Sequence, residues 1–150
     1  MEFFQETEIT AGQAEVVARG MLAVARAEGG LRKAELELVK SFYSEVAGGG
    51  ARHLAALENA ADLTPDVAAT ALTSEPLAHL FLKSCILAGY ADGAYTPEER
   101  AVVDGFANAL GVDEAAVAKL EHSVKEYLLS HLAGLSNVEA AASIAKKLKL

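Results

Sequence analysis

Tryptophan is absent from this sequence, and cysteine occurs once, at Cys85. A single cysteine excludes a disulfide framework within the chain and is typical of proteins from reducing compartments. Aromatic residues are only 6% of the 150 residues, whereas hydrophobic residues, rich in alanine, are 52%. Because strands favour aromatic and β-branched side chains, this composition indicates closely packed helices.

Positive charge is also scarce. The chain has 13 Lys and Arg against 21 Asp and Glu, a formal net charge of −8. Sequence-independent binding to nucleic acid needs a cationic surface, so this balance argues against nucleic acid and favours cations or basic partners. No apolar run approaches the length of a membrane span, and the first ten residues carry acids where a signal peptide carries positive charge. We therefore expect a cytoplasmic protein without membrane insertion.

Start and stop signals for helices recur along the whole chain, and sustained strand-like alternation does not occur. They predict a single compact all-α domain over residues 1–150 with about seven or eight helices. The predicted helices cover about 10–27, 33–47, 51–61, 64–72, 74–90, 96–111, 113–130 and 137–150. The stretch from Leu77 to Tyr90 is nearly apolar, which predicts that this helix is central and buried.

An internal repeat appears when the chain is shifted by 64 residues. Matched pairs are Ala27 and Ala91, Gly29 and Gly93, Glu35 and Glu99, Val39 and Val103, and Phe42 and Phe106. The two units, about 12–47 and 76–111, each read as an apolar helix, an acid–glycine turn and a second helix. The pattern predicts a duplicated helix–turn–helix hairpin.

The turns of the two units carry acids in the same frame. Glu28 and Asp92 precede the glycines, and Glu35 and Glu99 follow six residues after them. Glycine permits a sharp reversal, and hard cations bind clusters of oxygen atoms. The pattern copies the second half of an EF-hand loop and lacks the first half, so we expect one turn alone to bind calcium weakly. Pooled, the four acids predict one divalent-cation site.

The same acids have an alternative interpretation as helix caps. Glu98 and Glu99 lie in the first turn of a helix, where acids complement the helix dipole, and a capping box places glutamate three residues after the cap. Thr96 already fills the cap position, so Asp92 is less simply explained in this way. Both interpretations stay open at this point.

Two quoted stretches resemble a known family. The segment "AGYADGAYTPEERAVVDGFANALGVDEAAV" is similar to the second repeat of the tellurite-resistance TerB-like family, and "VARAEGGLRKAELELVKSFY" resembles the first more loosely. The resemblance covers about residues 12–118. It implies a bacterial or phage domain of about seven helices with an acidic cluster that holds metal ions, linked to tellurite and chemical stress through protein partners and not through enzyme activity.

The resemblance implies a metal site at Asp92 and Glu99, with Glu28 and Glu35 as the first-repeat counterparts. The first repeat departs from the family pattern. Glu28 stands where the pattern has aspartate, and Arg32 stands where Thr96 caps the helix of the second repeat.

Other candidate residues have simpler structural explanations. Cys85 lies mid-helix among apolar residues, which predicts a buried, unreactive thiol. His122 and Glu126 have the i, i+4 spacing of a zinc-ligand pair, but without a third ligand they predict a surface pair. His79 is expected to be a partly buried histidine in a polar stripe.

Three functions follow as expectations. The first is a TerB-like stress-response protein that is not an enzyme, binds a divalent cation, calcium by preference, and acts through protein partners. The second is a metal-free helical interaction module whose acidic surface docks basic partners. The third is a metal-dependent enzyme, for which an apolar pocket beside Asp92 and Glu99 would be the distinguishing sign. No nucleophile motif or phosphate-binding loop is present in the sequence.

Overall fold

The computed structural model describes residues 10–27, 36–37, 39–40, 63–90 and 95–133. Five helices are defined in these ranges: α1 (Ala11–Arg26), α2 (Pro65–Ala71), α3 (Glu75–Tyr90), α4 (Pro97–Leu110) and α5 (Glu114–Ala133). Residues 36–37 and 39–40 are also helical, and no strand occurs within the described ranges. The all-α prediction is confirmed. The segments 51–61 and 137–150 lie outside these ranges, so the total of seven or eight helices and the duplicated hairpin stay predictions.

Side-chain caps start the helices where the sequence predicts. The hydroxyl of Thr10 accepts the backbone N–H of Gln13 at 3.1 Å, and the hydroxyl of Thr96 accepts that of Glu99 at 3.2 Å. Oxygen atoms of Thr64, Ser74 and Asp113 cap α2, α3 and α5 in the same way. Each such cap stabilises a helix by about 1 kcal/mol because it pairs an N–H group that the helix leaves free.

Helix α3 lies at the centre of the described fold. It packs against α1, α4 and α5, while α2 packs mainly against α4. Twelve of its residues, from Leu77 to Tyr90, are buried, which confirms the predicted central helix. Phe81 of α3 meets Phe106 of α4 edge to face, with ring centroids 5.0 Å apart. Burial of a large apolar side chain of this kind contributes about 1.5–3 kcal/mol.

The contact between α1 and α3 depends on a glycine. A Cβ atom at Gly20 would lie 2.3 Å from Cε2 of Phe81 and 3.2 Å from Sγ of Cys85. The Phe81 ring therefore occupies the space that any larger residue at position 20 would need. This close approach brings the backbone of α1 directly onto the central helix.

The end of α4 turns through Gly111, which has a φ of 73°. A residue with a Cβ atom is strained at this left-handed φ, whereas glycine is not. The N–H of Gly111 bonds to carbonyl groups of the last turn of α4, and Asp113 then caps α5. This short reversal connects α4 to α5, and α5 then packs against α3.

Candidate functional site

The structure places one of the four predicted cation ligands. Glu99 is in the first turn of α4. Asp92, Glu28 and Glu35 lie outside the described residues. The pooling of four carboxylates at one site therefore stays a prediction. The structure describes the residues on either side of the second turn, at 90 and 95–100.

Glu99 is almost completely buried, with 1% of its surface exposed. Its Oε1 atom accepts hydrogen bonds from the backbone N–H of Thr96 at 2.9 Å and from the Thr96 hydroxyl at 3.0 Å. The Thr96 hydroxyl in turn accepts the Glu99 N–H. The capping box predicted at these residues is confirmed, and it engages one of the two carboxylate oxygens in starting α4.

A second capping box, at the start of α1, serves as an internal comparison. There the Oε1 atom of Gln13 accepts the backbone N–H of Thr10 at 3.0 Å, and the Thr10 hydroxyl accepts the Gln13 N–H at 3.1 Å. The reciprocal backbone bonds are the same as those of Thr96 and Glu99. An amide oxygen thus completes the box as well as a carboxylate oxygen does, so the box requires an acceptor and not a negative charge.

An ion-pair cluster connects this region to α5. The Arg100 guanidinium donates two hydrogen bonds to the Glu121 carboxylate, from Nη1 to Oε2 at 2.9 Å and from Nη2 to Oε1 at 2.8 Å. The hydroxyl of Tyr90, the last residue of α3, donates to Oε1 of the same carboxylate at 3.2 Å. Paired bonds of this type fix orientation as well as distance. We call Tyr90, Tyr95, Arg100 and Glu121 the Glu121 cluster.

Tyr95 completes the cluster through its ring. The ring centroid lies 5.1 Å from that of Tyr90, and the Arg100 guanidinium carbon lies 4.6 Å from it in a cation–π contact. A Cβ atom at Gly89 would lie only 2.6 Å from the Tyr95 ring, so the ring packs directly on the backbone of α3. The two residues that flank positions 91–94 are therefore both anchored.

Within the Glu121 cluster, Arg100 and Glu121 stabilise each other's charged forms. Hydrogen bonds from Arg100 hold the pKa of the Glu121 carboxyl below its ordinary value, although partial burial opposes this effect. The bond to Glu121 raises the pKa of the Arg100 guanidinium. Burial raises the pKa of the Tyr90 phenol, and the negative charge of Glu121 adds to this rise. Tyr90 therefore remains a neutral hydrogen-bond donor through the neutral pH range.

The sequence analysis did not predict the Glu121 cluster. Glu121 follows Arg100 by 21 positions and Tyr90 by 31, and no local spacing links residues so far apart. The only nearby signal is the i, i+4 spacing of Glu121 and Lys125, whose charged atoms lie 3.9 Å apart.

The residues given simpler explanations behave as predicted. Cys85 is fully buried, and burial raises the pKa of its thiol. His122 and Glu126 form a pair at 3.0 Å with side chains 73% and 68% exposed, as expected of a surface pair. Among the described residues, no three His, Cys, Asp or Glu side chains are grouped so that they could hold a metal ion.

Two clefts lie near the turn between α4 and α5. One, of about 380 Å³, is bordered by α3 and includes Glu75 and His79. The other, of about 440 Å³, is bordered by α4 and includes Asp104 and Asn108. Glu99 lines neither cleft. Neither cleft therefore provides the apolar pocket beside Glu99 that would distinguish an enzyme.

Comparisons with known proteins give no relative: no family model, curated protein or solved structure matches this chain. Within the described part of the chain, none of the helices combines the length and the apolar character needed to cross a membrane.

Proposed function

We propose that this chain is a helical binding module of the TerB-like kind. In this proposal it is not an enzyme; it holds a divalent cation, calcium by preference, at paired acidic turns, through Asp92 and Glu99 of the turn between α3 and α4 together with Glu28 and Glu35 of the first repeat. It serves a bacterial stress response in the cytoplasm through protein partners. The proposal joins the resemblance of the two acidic turns to that family with the geometry around the second turn.

The observation that carries the proposal is the anchoring of both ends of this turn. Tyr90 is bonded to Glu121, and Tyr95 is packed between Gly89 and Arg100. A cation site gains affinity when its ligands need little ordering on binding, and fixed ends reduce that cost for a short segment between them. Asp92 lies in this segment, and the carboxylate of Glu99 is fixed just beyond it.

A metal-free interaction module is the second candidate, and the burial of Glu99 favours it. Both acceptor bonds of the capping box end on Oε1 of a side chain that is 1% exposed. This carboxylate thus has a structural role that needs no cation. The two candidates differ in whether the negative charge of Glu99 is required for function. The Gln13 capping box indicates that glutamine at position 99 would remove this charge and keep the capping hydrogen bond.

The test is calorimetric titration of the chelator-treated protein with calcium, using the variants Asp92→Asn and Glu99→Gln. Glutamine retains the capping acceptor, as Gln13 does in α1, so we expect Glu99→Gln to keep its helix content. We expect saturable heat for the natural sequence and at least about a tenfold loss of affinity in each variant, because each removes a charged ligand. Glu98→Gln, an exposed acid beside Glu99, is the matched control and should retain the affinity.

Two results would decide against the cation. The first is an absence of heat in a folded sample. The second is heat that neither Asp92→Asn nor Glu99→Gln changes. In either case the metal-free interaction module becomes the better proposal, with Glu99 acting as a helix cap.

A further inference from the structure

We draw no further inference here: the strongest candidate, the Glu121 cluster at the meeting point of α3, α4 and α5, belongs to the site already described.

Discussion

Two glycines illustrate how much a single side chain matters in this fold. At Gly20 a Cβ atom would strike the ring of Phe81, which is fully buried and itself packed edge to face on Phe106. At Gly105, in the interior of α4, a Cβ atom would meet nothing within 4 Å. The two positions are both helical, so the same substitution tests packing at one and backbone entropy at the other.

We expect Gly20→Ala and Gly105→Ala to change stability in opposite directions. Gly20→Ala should lower the free energy of unfolding by about 1–3 kcal/mol, because the added methyl group forces Phe81 or the backbone of α1 to move. Gly105→Ala should raise it by about 0.5–1 kcal/mol, because alanine has less backbone freedom to lose on folding. Urea unfolding followed by circular dichroism measures both. A Gly20→Ala variant as stable as Gly105→Ala would contradict the close approach of α1 and α3.

At the scale of the elements, each helix start is fixed locally, whereas α5 is tied to its neighbours by the Glu121 cluster. Glu121 receives bonds from the last residue of α3 and from the first turns of α4. Three helices thus meet at one carboxylate whose side chain is 15% exposed. Arg100 is 45% exposed, so solvent screens part of the attraction. The bond from the buried Tyr90 to Glu121 is screened less than the two bonds from Arg100.

We expect Glu121→Gln to destabilise the protein by about 1–2 kcal/mol at neutral pH, because it removes a charge that accepts three hydrogen bonds. The folded-state pKa of Glu121 is lowered, so its contribution is complete above the ordinary carboxyl pKa and is lost as pH falls through the folded value. The difference in melting temperature between the natural sequence and the variant should therefore shrink as pH is lowered from about 6 to about 3.

Glu126→Gln is the matched control for this measurement. Glu126 lies on the same helix, and its side chain is 68% exposed beside His122. We expect this substitution to change the melting temperature little at any of these pH values. A gap between the Glu121→Gln variant and the natural sequence that stays constant down to about pH 3 would contradict the role of the Glu121 charge.

At the scale of the whole molecule, the sequence alone predicted the features that depend on residues close together along the chain. The caps at Thr10 and Thr96, the glycine end of α4 and the apolar length of α3 all follow from local chemistry, and the structure confirms them. Helix α5 extends to Ala133, slightly beyond the predicted end near Ser130. Helix ends fray, so boundaries are set less firmly than starts with a side-chain cap.

The candidate site was less predictable for a physical reason. Glu99 could be assigned to a capping box, but its burial depends on how α4 packs against the other helices. The Glu121 cluster joins residues of three helices. Such long-range contacts are set by packing angles, which residue spacing along one helix does not encode. The cation site itself stays a prediction, because three of its four residues lie outside the described ranges.

The burial of Cys85 has a practical consequence for every variant above. It is the only thiol in the chain, it has no exposed surface, and burial raises the pKa of that thiol. Since the thiolate is the reactive form, a thiol reagent should modify Cys85 only in molecules that have opened. When reclosing is faster than modification, the labelling rate measures the opened population, and a tenfold change in rate corresponds to about 1.4 kcal/mol. In a chain without tryptophan, one mass measurement over time can thus rank the stabilities of all these proteins under native conditions.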